Sequence, residues 1–313
     1  MKNLLTHLQH PNSTKDYQAE DEPDAIKISE YWGRRTYQNQ KPKISFELFP
    51  PKSDSANKLL KKTHQKLSEI NPDYFSVTFG ALGLSQNDTF DTVADLSENT
   101  KIPIIPHLTC VGIDKKQVTD LLDEYIAQGV SQIMVLKGDY PKTIIKKGDF
   151  NYANEMVEFI KENYFDINIL VAAYPEKHPH SNCISKDIDF FVNKVNAGAD
   201  EAVTQYFYNI DAYLHFIEEV QKRNIDIPIT PGIMPITNYD QLIYFSKTCG
   251  AEIPAWILNK LKLYKNDLNS LKEFGEDVVS EMCLKLKDNG VSSFHFYCLN
   301  KAEPTLSIVK KIT

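Results

Sequence analysis

Arginine is almost missing from this chain. Among 313 residues only Arg34, Arg35 and Arg223 occur, and lysine supplies the rest of the 35 basic residues, set against 42 acidic ones. The resulting net charge of −7 disfavours nucleic acid or an anionic membrane surface as partner. A site built mainly to grip a small phosphate substrate would also want more guanidinium forks. Cysteine is scarce: Cys110, Cys183, Cys249, Cys283 and Cys298 are far apart and odd in number. That argues against a disulfide frame or a zinc knuckle, and for reduced thiols in a cytoplasmic protein. No G-x-G-x-x-G, P-loop, G-x-S-x-G or H-E-x-x-H occurs, which removes the dinucleotide fingerprint, NTPase, serine hydrolase and zincin readings. No apolar run approaches the length that spans a bilayer. Met1–Leu5 is too short and polar to be a signal-peptide core.

What is present is enough apolar residue, 42%, for a sizeable core. Residues 1–43 stand apart. Asn12 to Asp24 is polar and acidic without periodicity, so it is expected to be a loose, partly ordered arm. A short helix is expected near 24–33, with Ile28, Tyr31 and Trp32 on one side.

From Ile44 onward short apolar runs alternate with helical patterns. Strands are expected at 44–49, 74–79, 102–108, 132–136, 167–173, 202–206, 227–232 and 293–299. Helices are expected near 55–70, 89–98, 115–128, 152–162, 186–197, 211–223, 239–248, 256–263, 275–287 and 305–311. Continuous apolar strands suit a parallel sheet covered on both faces. Gly129, Gly198 and Gly290 stand where helix C-caps belong. The expected fold is therefore α/β, a (β/α)8 TIM barrel over residues 44–313, with extra helices before the last strand and an N-terminal arm. Those 270 residues compare with the ~250 usual for this barrel. An open doubly wound sheet would want a glycine-rich turn after its first strand, where Pro50 and Pro51 stand instead.

In such a barrel the strand ends share one rim, and catalytic groups gather there. The groups that close the strands here are Glu47, Thr78, His107, Asp139, Tyr174, Gln205, Gly232 and Asn300. Glu47 is a lone carboxylate in an apolar strand, and Phe46 and Leu48 beside it should raise its pKa. It could equally be a strand residue bonded to a neighbour. In Leu136–Pro141, Gly138 lets backbone approach a ligand and Asp139 follows, although Gly-Asp and a later proline also make a plain turn. In Ala172–His180 small residues precede Tyr174, suiting a flat ring, or the prolines simply stiffen a loop. His178, His180 and Cys183 lack the companion spacing of a metal site, and none is expected. Gln205 offers an amide to a heterocycle edge.

Several stretches in register, Ser45–Lys52, Ser76–Ala81, His107–Cys110, Leu136–Asp139, Ala172–Pro179, Thr204-Gln205, Pro231–Pro235, Ile253–Trp256 and Phe294–Asn300, resemble methylenetetrahydrofolate reductase. The likeness runs from about residue 44 to the C-terminus and is to the short bacterial form, a catalytic barrel alone. It implies non-covalent FAD, reduced by NAD(P)H, which then passes hydride to 5,10-methylenetetrahydrofolate to give 5-methyltetrahydrofolate. The two substrates would use one flavin face in turn. By the same resemblance Glu47 is the general acid, and Asp139 is a second catalytic acid near the flavin. The implied cofactor contacts are Thr78, His107, Lys137, Gly138, Asp139, Tyr152, Ala153, Tyr174, His178, Asp187 and Lys194. The implied substrate contacts are Gln205, Gln241, Phe245 and Lys301. The chain departs from the family pattern where Lys137 and Lys301 stand for arginine, and where Phe190 and Asn193 face the expected FAD tail. A homo-oligomer is implied as well. Two rival readings share the barrel: flavin-free hydride transfer to the folate, and a non-catalytic folate-binding subunit of a redox complex.

Overall fold

The computed structural model describes residues 41–79, 86–138, 148–181 and 183–313. Nearly all of the expected arm, and the candidate Asp139, lie outside these residues.

The strands are β1 Lys43–Leu48, β2 Tyr74–Val77, β3 Ile104–Thr109, β4 Gln132–Leu136, β5 Asn168–Ala173, β6 Glu201–Thr204, β7 Ile229–Thr230, β8 Gly232–Ile233 and β9 Ser293–Tyr297. All pair in parallel, in the order β7-β6-β5-β4-β3-β2-β1-β9-β8. The helices between them are α1 Asp54–Ser68, α2 Gln86–Glu98, α3 Lys115–Ala127, α4 Ala153–Asn163, α5 Ile184–Asn196, α6 Ile210–Gln221, α7 Tyr239–Cys249, α8 Ala255–Leu263 and α9 Leu268–Asp288. After β9 comes α10 Thr305–Ile312.

The expected strand over 227–232 is two short ones. Pro231 has no N–H to give to a ladder, so the segment breaks there. Its first half pairs with β6 and its second half with β9. One extended segment thus bonds both edges of the sheet and closes the ring. The Pro231 carbonyl still accepts the His295 N–H at 3.0 Å.

The strand faces alternate, as a two-residue period requires. Outward, Phe46 packs with Phe75 and Phe296 at ring distances of 5.8 and 6.0 Å. Inward, the barrel is split by chemistry. Ile105, Met134, Leu170 and Val203, from β3 to β6, form an apolar cluster joined by Tyr74, Leu136 and Tyr297. On the opposite wall Ser45 Oγ lies 2.8 Å from His295 Nδ1, and Ser76 Oγ lies 3.4 Å from His295 Nε2. The apolar half seals the barrel; the polar half leads up to the rim.

Local signals set the helix ends. Asp114 and Gln117 form a reciprocal capping box on α3. Asn238 caps α7 by accepting the Gln241 N–H, and Gly250 ends that helix at φ 80°. Gly129, Gly198 and Gly290 all have positive φ, as expected of C-caps. The helix expected at 275–287 begins at Leu268, because Gly275 is interior to it. A Cβ on Gly275 would come within 2.6 Å of the Ile236 carbonyl, so this glycine serves close packing and not helix initiation.

Candidate active site

Glu47 points into the barrel mouth. Its Oε2 lies 3.8 Å from His107 Nε2, a contact between β1 and β3 that skips the intervening β2 and so crosses the interior. Burial raises the Glu47 carboxyl from 4.5 to about 8 and lowers the His107 imidazole to about 3. At neutral pH both are uncharged, so this is a carboxylic acid facing a neutral imidazole and not an ion pair. The desolvation does not come from Phe46 and Leu48, as the sequence suggested. Those side chains occupy the other strand face. It comes from the barrel interior, where Glu47 registers with Ser76 on one side and Tyr297 on the other.

Tyr297 makes the floor of this mouth. Its hydroxyl donates to the Thr204 carbonyl at 2.7 Å, across the barrel from β9 to β6. Gly232 makes room for it: a Cβ there would lie 2.5 Å from the Tyr297 ring and 2.1 Å from the Thr204 carbonyl oxygen. The Gly232 N–H in turn donates to Thr204 Oγ1 at 2.9 Å. His295, one layer deeper, is lowered to about 3, first by burial and then by His107. Ser45, Tyr297 and His295 were not singled out from the sequence. The alternation in Lys43–Glu47 and Ser293–Tyr297 could have found them, since it puts all three on the face of Glu47.

The expected cofactor contacts occupy one sector of the rim, from β2 to α5. Thr78, just past β2, is buried, and its Oγ1 has no hydrogen-bond partner among the described residues. The buried His107 Nε2 likewise has none. Lys137 sits 4.8 Å from the Tyr152 ring centre, at the N-cap of α4 where Ala153 begins the helix. Gly138 has φ 80°, and a Cβ on it would come within 2.8 Å of Thr109. Tyr174 and His178 meet edge to face at 4.7 Å. The His178 N–H donates to Asp187 Oδ2 at 2.7 Å, tying the β5 loop to α5. Lys194 donates to the Ala172 carbonyl, and burial lowers its pKa to about 8 although Asp187 acts against the shift. His178 Nδ1 accepts the His180 N–H, so that nitrogen closes the loop. Phe190 and Asn193 are exposed on α5.

The expected folate contacts lie across the mouth. Gln205 follows β6, and its Oε1 accepts the Tyr206 N–H at 3.0 Å. Gln241 and Phe245 are four residues apart on α7, hence on one helical face. Lys301 is exposed after β9. Asn300 does not face a ligand as a rim group would: its amide is spent on the Phe49 backbone. The structure therefore joins Glu47 to His107, Lys137 to Tyr152, and Tyr174 to His178 and Asp187, while Gln205 follows β6, Gln241 and Phe245 share α7, and Lys301 follows β9.

Among the described residues no helix is long and apolar enough to cross a membrane. The family model for methylenetetrahydrofolate reductase matches residues 33–313. The chain is 38% identical over 270 residues to 5,10-methylenetetrahydrofolate reductase of Buchnera aphidicola subsp. Schizaphis graminum, covering 86% of this chain and 91% of that one. It is 33% identical over 265 residues to the Escherichia coli K12 protein of that name, covering 85% and 88%. Among solved structures, an uncharacterized Clostridium thermocellum protein described as binding two copies of 5-methyl-5,6,7,8-tetrahydrofolic acid shares the fold, with a TM-score of 0.60, 18% identity, and coverage of 88% and 96%. A barrel with a protonated carboxyl in its mouth, and a family match over nearly all of its length, lead to one conclusion: this chain belongs to the methylenetetrahydrofolate reductase family.

Proposed function

We propose that the chain carries out the family reaction, reduction of 5,10-methylenetetrahydrofolate to 5-methyltetrahydrofolate, in two half-reactions with NAD(P)H as donor and Glu47 as general acid. The observation that carries this reading is the Glu47 carboxyl, buried in the mouth beside an uncharged imidazole with its pKa raised to about 8. The folate five-membered ring must open to an iminium before it can accept hydride, and opening needs a proton on the leaving nitrogen. A carboxyl that is still protonated at neutral pH can supply it. His107, held neutral, does not compete as a charged acid.

The residues present fit FAD. Thr78 Oγ1 and His107 Nε2 are buried polar atoms with no hydrogen-bond partner among the described residues, which suits the polar edge of a bound cofactor. FAD, when bound, would take hydride from NAD(P)H and deliver it to the folate. Lys137 and Lys194 would face its charged parts, Tyr152, Ala153, Tyr174, His178 and Asp187 would shape its sector, and Asp139 would stabilise positive charge on the opened folate. Gln205, Gln241, Phe245 and Lys301 would orient the folate. A probable plant methylenetetrahydrofolate reductase of Oryza sativa is named for NADH, which supports a nicotinamide donor. Exposed Tyr244, Trp256 and Leu263 offer apolar surface for a homo-oligomer, and sedimentation as a monomer would remove that part of the reading.

Glu47→Gln tests the acid. The expected result is loss of folate reduction by about 10²-fold or more with the NAD(P)H half-reaction nearly intact. Equal loss of both half-reactions would show that Glu47 has another task.

A further inference from the structure

Asn300 closes the last barrel strand, beside Lys301 and across from the end of β1. Its amide is paired both ways with one backbone residue. Nδ2–H donates to the Phe49 carbonyl at 2.8 Å, and Oδ1 accepts the Phe49 N–H at 2.9 Å. The backbone ladder between β1 and β9 has already ended at Glu47 and Tyr297. Asn300 therefore adds a rung made by a side chain. The next two residues, Pro50 and Pro51, have no N–H to give, so Phe49 is the last place where the Glu47 strand can be gripped this way.

Three further contacts converge on this junction. The Asn300 carbonyl accepts Thr63 Oγ1–H from α1 at 3.0 Å. The Lys301 N–H donates to the Cys298 carbonyl at 2.9 Å. Cys298 Sγ–H donates to the Glu47 carbonyl itself at 3.1 Å. Between them Leu299 and Asn300 both take left-handed backbone, at φ 52° and 55°. Asparagine tolerates that region; leucine rarely enters it and must be held there by its surroundings. None of these contacts has a part in the proposed proton or hydride transfer.

We propose that Asn300 is a positioning residue that fixes the end of β1 so that the Glu47 carboxyl meets the folate, and that holds the Leu299–Lys301 turn over the same substrate. This rests on the reading of Glu47 as the acid. The staple acts two residues beyond Glu47, and the thiol of Cys298 acts on Glu47's own backbone, so the two sides of the junction move together.

The test uses the full chain loaded with FAD, in three variants. Asn300→Gly takes up left-handed backbone freely but has no amide, so it separates loss of the staple from backbone strain. Asn300→Asp keeps the shape and one acceptor but loses the donor to the Phe49 carbonyl, and it serves if the glycine variant does not fold. Asn300→Gln keeps the amide on a longer stem. In the glycine and aspartate variants the folate half-reaction should fall roughly tenfold or more, since misplacement of about 1 Å can cost ~10²-fold. Its pH profile should shift on the alkaline limb, where Glu47 loses its proton, while the NAD(P)H half-reaction stays within about twofold. An unchanged folate half-reaction in a folded variant overturns the proposal. So does a proportional fall in both half-reactions, which marks Asn300 as merely structural. A wild-type protein that reduces no folate removes the functional reading itself, and that outcome is distinct from both.

Discussion

Glu47 shows how a residue's chemistry is set by which way it points. The sequence identified it as an acid in apolar company, and the pKa was raised as expected. The neighbours responsible were the wrong ones, because adjacent strand residues face opposite sides. The energetic consequence has a definite sign. The folded-state pKa, about 8, lies above the ordinary value of 4.5, so the stability linked to this proton is fully present below about 4.5 and is lost as pH rises through about 8. Glu47→Gln should therefore unfold at nearly the wild-type temperature at pH 5 but be the more stable protein at pH 9, by roughly 3–5 kcal/mol at most. Melting curves at the two pH values check this; a variant equally displaced at both would mean the carboxyl is not desolvated. Thr78 gives a second prediction at this scale. Its buried hydroxyl has no partner among the described residues, at a cost of about 1–3 kcal/mol. Thr78→Val should raise the melting temperature of the cofactor-free protein while slowing the NAD(P)H half-reaction. A lowered melting temperature would show that the hydroxyl is satisfied.

At the scale of elements, the repeating strand–helix units were legible because each strand is a short apolar run and each helix has its own caps. Two features were not legible, and both involve glycine. Gly275 looked like a helix start because a glycine breaks a helical pattern locally; the contact with the Ile236 carbonyl that demands it is a tertiary one. Pro231 and Gly232 looked like the end of a strand, yet they are the seam at which the barrel closes. Gly232→Ala tests the seam. Its Cβ would be forced against the Thr204 carbonyl and the Tyr297 ring, so the variant should lose several kcal/mol of stability, on the scale of overpacking and strain. Denaturant unfolding within about 0.5 kcal/mol of wild type would contradict the packing described for Tyr297. Asn300 was legible only as the group that closes the last strand; that its amide pairs with the Phe49 backbone is a tertiary fact.

For the molecule as a whole, the barrel gathers onto one rim residues that lie from Glu47 to Lys301 in the chain. The sequence located that rim through strand ends, and the resemblance divided it into a flavin sector and a folate side. The pairing of Glu47 with His107, the Tyr297 floor and the split interior needed the closed ring, since each crosses from one strand to a non-neighbour. On the proposed reading, a chain with three arginines and net charge −7 would hold the anionic FAD mainly through lysines. Lys194 is one of them and loses its charge near pH 8 because it is buried. FAD affinity should therefore weaken as pH rises through about 8, and Lys194→Gln should bind more weakly but without that pH dependence. A titration of FAD at pH 7 and pH 9 reads both.

On the proposed reading this barrel passes hydride through bound FAD to the folate. The most direct measurement is the visible absorption spectrum of the protein with FAD, kept anaerobic while NADH and then 5,10-methylenetetrahydrofolate are added. A flavin band that bleaches with NADH and returns with the folate is the predicted result. Folate reduction without any bound flavin band would contradict it and leave direct transfer from the nicotinamide as the route.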